Sequence, residues 1–177
     1  MDVIPNIMYW PNGNKQLEDW YFNGELHRLD GPAFIRYYEL GNKKYESWHL
    51  NGELHRINTP ACIEYYTSND IQSEAYYEFG KLHRIDGPAY INYSEFGKLQ
   101  RESWHLDGEL HRNDGPAIII YYESGEIYKE YWFINNEELT GKKLEVYKEW
   151  VTARNLYNKS YTQWEDAEKI LWNLTWL

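Results

Sequence analysis

The sequence predicts a mainly β protein, built as an elongated single-layer antiparallel β-hairpin repeat sheet and followed by a C-terminal helical hairpin. The main observation is a string that recurs every 28 residues, with His at positions 27, 55, 83 and 111. Asn-Gly or Asp-Gly pairs separate alternating apolar runs in most copies, and the apolar spacing becomes helical after residue 136. A constant period of this length is typical of proteins in which each repeat packs only on its neighbours.

The repeat array is predicted to span residues 1–136. Residues 1–22 match the second half of a repeat, because Ile7 lies 28 residues before Ile35 and a Tyr follows two residues later in both places. The array therefore consists of a partial first repeat and four full repeats.

Each repeat contains a predicted two-residue hairpin turn. Asn51-Gly52 separates two apolar-alternating runs, and a type I′ turn needs positive φ at both central residues, which Asn and Gly tolerate. Counting outward from the turn places Trp48 opposite His55, so we expect these two rings to pack together. The equivalent turns are Asn23-Gly24, Phe79-Gly80, Asp107-Gly108 and Asn135-Asn136, and the equivalent pairs are Trp20 with His27, Tyr76 with His83 and Trp104 with His111.

The sequence Asp-Gly-Pro-Ala follows each hairpin except the second and last, and predicts a kink, since proline lacks a ladder donor and glycine permits a left-handed backbone. The expected ion pairs at this kink are Arg28 with Asp30, Arg84 with Asp86 and Arg112 with Asp114. The second copy has Asn58 and Thr59 in place of the acid and the glycine, so the pair is expected to help the fold without being essential. The predicted structural motif comprises Trp20, His27, Arg28, Asp30, Trp48, His55, Arg56, His83, Arg84, Asp86, Trp104, His111, Arg112 and Asp114.

The strand after each kink has one constant face and one variable face, because side chains alternate along a strand. The constant face carries Ile and Tyr in every copy, as at Ile35 and Tyr37, and is expected to pack internally. Five Glu residues in register, from Glu18 to Glu130, are expected to form a solvated ladder. The variable face is free to bind a partner or to face solvent, and its candidate interaction surface comprises Phe34, Arg36, Tyr38, Tyr66, Tyr90, Ile118, Ile120 and Tyr122.

Residues 137–177 form a predicted two-helix segment, with helices at about 140–158 and 162–177. Two roles stay open. The helices either cap the open last edge of the sheet or build a dimer contact, because they carry more apolar area than a cap requires. The residues assigned to this cap or dimer surface are Trp150, Trp164, Ile170, Leu171, Trp172, Leu174 and Trp176.

The repeated pattern Trp-His-Leu-Asn-Gly-Glu-Leu-His-Arg-x-Asp-Gly-Pro-Ala resembles the MORN-type repeats (membrane occupation and recognition nexus). Residues 104–117 carry it with Asp107 in place of Asn. The resemblance is to a variant frequent in large DNA viruses of amoebae, such as marseillevirus-like viruses, and in some phages and bacteria, and it covers residues 7–136. It implies a β-hairpin sheet that serves as a scaffold, a dimerisation module or a lipid-proximal module, and it implies a viral source.

Composition disfavours several partners. The formal net charge is −10, so nucleic acid is not expected as a partner, and a membrane surface, although possible, is disfavoured. The single cysteine, Cys62, is consistent with a reducing compartment, and we expect it to be a small half-buried residue. No apolar run is long enough to span a bilayer, and Met1 to Pro5 lack the features of a signal peptide. The expected location is intracellular, in the host cytoplasm or the virion if the protein is viral.

No motif predicts catalysis, a metal site or a cofactor. Equivalent His residues on alternate strands stand roughly 9–10 Å apart, too far to converge on one zinc ion. No base and acid accompany Cys62, and each glycine lies alone in a turn. We therefore expect a non-catalytic scaffold or protein-interaction module, viral or virion-associated and dimeric, whose partner is a second copy or another protein. The alternatives are a peripheral lipid-associated module and, third, a carbohydrate-binding aromatic array.

Overall fold

The structure is a computed structural model that describes residues 5–153. Ten strands form one antiparallel sheet in the order β1-β2-β5-β6-β9-β10-β13-β14-β17-β18, which confirms the predicted repeat sheet. The remaining ten strands pair two by two into five short hairpins. In chain order the strands are β1 (Asn6–Tyr9), β2 (Lys15–Asp19), β3 (Tyr21–Phe22), β4 (Glu25–Leu26), β5 (Phe34–Tyr37), β6 (Lys43–Ser47), β7 (His49–Leu50), β8 (Glu53–Leu54), β9 (Cys62–Tyr65), β10 (Ile71–Ala75), β11 (Tyr77–Glu78), β12 (Lys81–Leu82), β13 (Tyr90–Tyr93), β14 (Leu99–Ser103), β15 (His105–Leu106), β16 (Glu109–Leu110), β17 (Ile118–Tyr121), β18 (Ile127–Tyr131), β19 (Phe133–Ile134) and β20 (Glu137–Glu138).

The predicted two-residue turns close the five short hairpins. Both central residues have positive φ, as at Asn51 (49°) and Gly52 (82°), so the type I′ geometry is confirmed. Phe79 adopts the same conformation at φ 47° although it is neither Asn nor Gly. The turn is therefore imposed by the repeat even where the local sequence favours it less.

Each long strand that bears a Glu splits at its aromatic residue. The N–H of Trp48 bonds to the carbonyl of Ala61 in the sheet (2.8 Å), whereas the carbonyl of Trp48 accepts the N–H of His55 in the short hairpin (3.1 Å). Trp48 thus belongs to both pairings, and the chain beyond it leaves the ten-stranded sheet.

The five short hairpins form a second row beside the sheet, which the sequence did not predict. Neighbouring hairpins are joined by backbone hydrogen bonds, for example from the Gly52 N–H to the Leu26 carbonyl (2.9 Å) and from the Arg28 N–H to the His49 carbonyl (3.2 Å). Each repeat therefore contacts its neighbours twice, once in the sheet and once in the hairpin row.

One described helix, α1 (Gly141–Ala153), follows the last hairpin and packs on it. The buried cluster contains Trp132, Ile134 and Leu139 from the last repeat and Tyr147 and Val151 from the helix. The first predicted helix is therefore present over most of its length. The second, at 162–177, lies outside the described residues.

Helix α1 takes the place of the next hairpin in the row. Leu139 lies 28 residues after His111, and its N–H bonds to the Trp132 carbonyl (2.8 Å) as the N–H of each repeat His bonds to its own aromatic partner. The His side chains reach the following hairpin, whereas Leu139 packs in the cluster formed with α1 and is only 3% exposed. The described helix thus packs on the last hairpin of the row, and its role as a cap or as a dimer contact stays a prediction.

Candidate functional site

The repeat histidines connect neighbouring hairpins. The Nδ1 atom of His27 accepts the backbone N–H of Asn51 (3.1 Å), and His55 accepts that of Phe79 (3.2 Å). His83 and His111 accept the N–H of Asp107 and Asn135 in the same way (3.2 Å each). At His83 and His111 the same Nδ1 also lies 2.9 and 2.7 Å from the side-chain oxygens of Asp107 and Asn135, so the ring atom that donates there depends on the tautomer.

The aromatic residue opposite each His is covered by arginine. The guanidinium carbon of Arg56 lies 3.7 Å from the centre of the Trp48 ring, and the distances at Trp20, Tyr76 and Trp104 are 4.1, 4.0 and 3.8 Å. The predicted backbone pairing of Trp with His is correct, but the expected ring contact was wrong. Because the strand splits at the Trp, its ring contacts the guanidinium of the arginine that follows the His.

The arginines hold the kink by a contact that all four copies share. Each Nη1 donates to the carbonyl of the kink proline, at 3.4, 3.1, 3.2 and 3.3 Å from the first copy to the fourth. The predicted ion pairs form at Arg28 with Asp30 (2.8 Å) and at Arg112 with Asp114 (2.7 Å). Arg84 forms no ion pair with Asp86 in the described chain, so that expectation was wrong.

The kink glycine provides space rather than an unusual backbone. Gly31, Gly87 and Gly115 do not have positive φ, contrary to the prediction. A Cβ atom there would lie 2.8 to 3.0 Å from the guanidinium carbon of the nearby arginine. The second copy carries Thr59 at this position, and Arg56 there bonds to the proline carbonyl without an acidic partner.

The constant face is closed by a repeated Ile, Glu and Tyr network. The Tyr65 hydroxyl donates to Glu46 (2.5 Å), and Lys43 donates to the same carboxylate (2.6 Å). Glu46 is only 5% exposed, so the expected solvated Glu ladder was wrong at this position. Burial and the hydrogen bond to Glu46 raise the pKa of Tyr65, so the phenol stays a donor. The equivalent hydrogen bonds join Tyr37 to Glu18 (2.5 Å), Tyr93 to Glu74 (3.2 Å) and Tyr121 to Glu102 (2.6 Å).

The variable face is only partly accessible. Next to the hairpin row, Cys62 and Ile118 are buried, each with 9% exposure, so Ile118 does not belong to a free surface. Phe34, Tyr38, Tyr66, Tyr90 and Ile120 are half-buried, and Arg36 and Tyr122 are exposed. The predicted surface residues thus lie on one face but do not form one continuous site.

A concavity opens on this face where the first two full repeats meet, with a volume of about 350 Å³. Its lining residues are Phe34, Arg36, Tyr38, Lys44, Tyr45, Glu64 and Gln72. The structure therefore brings together Phe34, Arg36 and Tyr38 from the predicted surface and leaves Tyr66, Tyr90, Ile120 and Tyr122 outside. Lys44, Tyr45 and Gln72 were not predicted. Tyr45 could have been noticed, because the same repeat position holds Ser73, Arg101 and Lys129 in the other copies.

Aromatic contacts build the concavity from within. The rings of Phe34 and Tyr45 meet edge to face, with centroids 6.0 Å apart, and the Tyr45 hydroxyl donates to the Cys62 sulfur (3.2 Å). The Tyr38 hydroxyl donates to the Tyr65 carbonyl of the next repeat (2.8 Å). These bonds fix the polar ends of both tyrosines, so their ring surfaces are held in place as walls.

Charges at the concavity are mixed. Arg36 and Glu64 are exposed, and the Lys44 ammonium lies 5.5 Å from the centre of the Tyr38 ring. Two cations and one carboxylate therefore line a recess in a chain of net charge −10. The recess is locally cationic and favours an acidic group on whatever binds there.

The buried thiol beside the concavity is not reactive. Burial raises the pKa of Cys62 to about 11, even though the Tyr45 hydrogen bond acts in the opposite direction. A thiol with this pKa is protonated at neutral pH and is a poor nucleophile. Among residues 5–153, no three His, Cys, Asp or Glu side chains converge as a metal site.

Together, the sheet and the hairpin row define a β-hairpin repeat protein, with a constant face closed by its own side chains and a variable face bearing a recess. The chain matches no known family model, no curated protein and no solved structure. Within the described part of the chain, no helix has the length and apolar character needed to cross a membrane.

Proposed function

We propose that this protein is a non-catalytic interaction scaffold that binds a segment of another protein in the concavity of the variable face. The observation that carries the proposal is the difference between the two faces. Every copy uses the same Tyr–Glu hydrogen bond on the constant face, whereas the recess depends on side chains that change from copy to copy. Contacts that repeat in all copies build the array, so recognition is assigned to residues that do not repeat.

The recess fits a peptide segment with an acidic and an apolar side chain. Phe34 and Tyr45 supply fixed aromatic walls, and such rigid aromatic residues contribute strongly to binding energy. Arg36 lines the recess and is exposed to solvent, so it can form a bidentate ion pair with a carboxylate of the bound segment. The raised pKa of the Cys62 thiol agrees with a non-catalytic role.

The resemblance to MORN-type repeats extends this proposal. It adds a viral structural or virion-associated setting, a dimeric state and a location in the host cytoplasm or virion. The family-derived alternative is binding to a lipid surface, against which the net charge of −10 argues. A carbohydrate-binding array is less favoured, because arginine guanidinium groups already cover the repeated Trp rings.

The test selects peptides from a random displayed library on the full-length protein and measures the affinity of each by fluorescence anisotropy. We expect acidic, apolar peptides whose affinity falls at least 10-fold on Arg36→Glu and less than 2-fold on the control Arg101→Glu. Both arginines are exposed and occupy the same face, but only Arg36 lines the recess.

Two outcomes would contradict the proposal: no enriched peptide, or peptides that lose affinity equally on both variants. Flotation with phosphatidylserine vesicles and retention on a glycan panel test the alternatives in the same preparation. Binding in either assay that Arg36→Glu abolishes would replace the protein segment by a lipid or a sugar.

A further inference from the structure

Inside the sheet, each Glu-bearing strand has an Ile-bearing strand on its outer side in one fixed register. Glu18 lies opposite Ile35, and Tyr37, two residues after that Ile, donates its hydroxyl back to Glu18 (2.5 Å). The same register places Glu46 opposite Ile63, Glu74 opposite Ile91 and Glu102 opposite Ile119. The sheet therefore has a rule: a Glu strand binds a strand with Ile and Tyr two residues apart.

Glu130 is the fifth residue of this series, and no strand of the described residues lies on its outer side. It lies on β18, with Ile119 of β17 opposite it on the inner side, and no strand within residues 5–153 pairs with the outer edge. No described donor forms a hydrogen bond with its carboxylate. Ile127 and Tyr128 on the same strand are 50% and 57% exposed. The acceptor of a fifth Tyr–Glu hydrogen bond is thus in place without its donor.

The hairpin row beside this edge is closed. The side chain of Leu139 packs against α1, where the His of an internal repeat would reach the next hairpin. Lys148 of α1 lies 5.0 Å from the centre of the Trp132 ring, where the internal repeats have an arginine. The sheet can therefore continue past β18, but the hairpin row cannot. This combination admits a lone extended strand and disfavours a complete further repeat.

We propose that the outer edge of β18 binds an extended segment of a partner protein that carries Ile and Tyr two residues apart. The segment runs antiparallel to β18, with its Ile opposite Glu130 and its Tyr hydroxyl donating to the Glu130 carboxylate. Backbone hydrogen bonds supply affinity in this mode of strand addition, and the Tyr–Glu bond supplies specificity. The site is separate from the recess, so it stands or fails independently of the proposed function.

A second copy of the chain is a poorer occupant than a partner segment. Its β1 has the required pattern, with Ile7 and Tyr9, and Tyr9 is 58% exposed. However, β1 continues through β2 into the hairpin β3–β4, and that hairpin would need the place that α1 fills. The edge of β18 accordingly suits a strand that brings no hairpin with it.

The experiment uses the full-length protein and a labelled synthetic peptide with the sequence of residues 32–38, which contains Ile35 and Tyr37. A control peptide exchanges neighbouring residues, so that Ile and Tyr move to the opposite face of the strand. Anisotropy reports affinity, and hydrogen–deuterium exchange reports protection of the β18 amides. We expect Glu130→Ala to weaken binding of the first peptide about 10-fold. Glu126→Ala removes the same charge from the turn before β18 and should change affinity less than 2-fold.

Binding of the first peptide alone, with protection confined to β18, supports the proposal. The proposal is overturned if both peptides bind equally well, or if Glu130→Ala and Glu126→Ala weaken binding equally. It is also overturned if the peptide protects amides outside β18. Protection of the outward-facing amides of β18 in the free protein, together with no peptide binding, also overturns it, because the outer edge is then occupied; the amides that face β17 are protected in either case. Concentration-dependent self-association that Glu130→Ala abolishes would overturn the partner segment in favour of a second copy.

Discussion

Removing Glu46 should destabilise the array far more than removing Glu130, although both hold the same repeat position. The Glu46 carboxylate accepts hydrogen bonds from Tyr65 (2.5 Å) and Lys43 (2.6 Å). A hydrogen bond to a charged acceptor contributes about 1.5–3 kcal/mol, and the ion pair adds less than about 1 kcal/mol because the Lys43 side chain is 45% exposed. Glu46→Ala should therefore lower the free energy of unfolding by about 2–4 kcal/mol.

The assay is urea unfolding followed by tryptophan fluorescence in dilute protein, with the midpoint compared at unchanged slope. Glu130→Ala is the matched control and should shift the free energy of unfolding by no more than about 0.5 kcal/mol, since no described donor bonds to it. A double-mutant cycle of Glu46→Ala with Tyr65→Phe should give a coupling energy of about 1–3 kcal/mol. Equal losses at Glu46 and Glu130, or a coupling near zero, would refute the assigned network.

Three further outcomes are expected from urea unfolding. Arg56→Ala should lower the free energy of unfolding by about 1–3 kcal/mol, because it uncovers the Trp48 ring and leaves the Pro60 carbonyl without its donor. Asp30→Asn, which removes only an ion pair, should leave the midpoint unchanged. Similar losses of stability in the two variants would contradict the shared role of arginine. The urea midpoint should decrease when the pH is lowered from 7.5 to 5.5. Burial lowers the pKa of His49 and His105 below the ordinary 6.5, so in this range the folded chain binds fewer protons than the unfolded chain. An increase of the midpoint on acidification would contradict this. Tyr147→Phe should cost about 1 kcal/mol by leaving a backbone carbonyl without its donor, and an unchanged midpoint would argue against the cap.

Much of the fold could be predicted because the repeat fixes local geometry. The constant 28-residue period gave the number of repeats, and Asn51-Gly52 identified the turn by its need for positive φ. The same-face position of Ile35 and Tyr37 followed from strand alternation, and the structure buries Ile35. These inferences needed only residues that lie close together in the chain.

The errors came from contacts that depend on where a strand ends. Counting outward from the turn assumed one continuous strand through Trp48, whereas the chain changes partner there, and the ring then meets Arg56 instead of His55. The second row of hairpins was missed for the same reason. The role of His55 could not be seen from its own repeat, because its acceptor atom is used by the backbone of Phe79 in the following one.

The recess was predicted only in part. Phe34 and Arg36 were found because they vary between copies, and Ile118 was assigned to the surface by the same argument although it is buried. Variation between copies indicates that a position is free of the common network, but it does not tell whether neighbouring strands cover it. The exposure of a side chain depends on the side chains of the two adjacent strands, so the sequence pattern along one strand does not predict it.

Because every repeat contacts only its immediate neighbours, the array works as a molecular ruler. Six strand spacings separate β6, in the recess, from β18 at the edge, which is a distance of roughly 29 Å at about 4.8 Å per strand. Insertion or deletion of one 28-residue unit between them would change this distance in steps of roughly 10 Å and leave both ends intact. Genetic duplication of whole units can thus adjust the separation of two surfaces without redesigning either one.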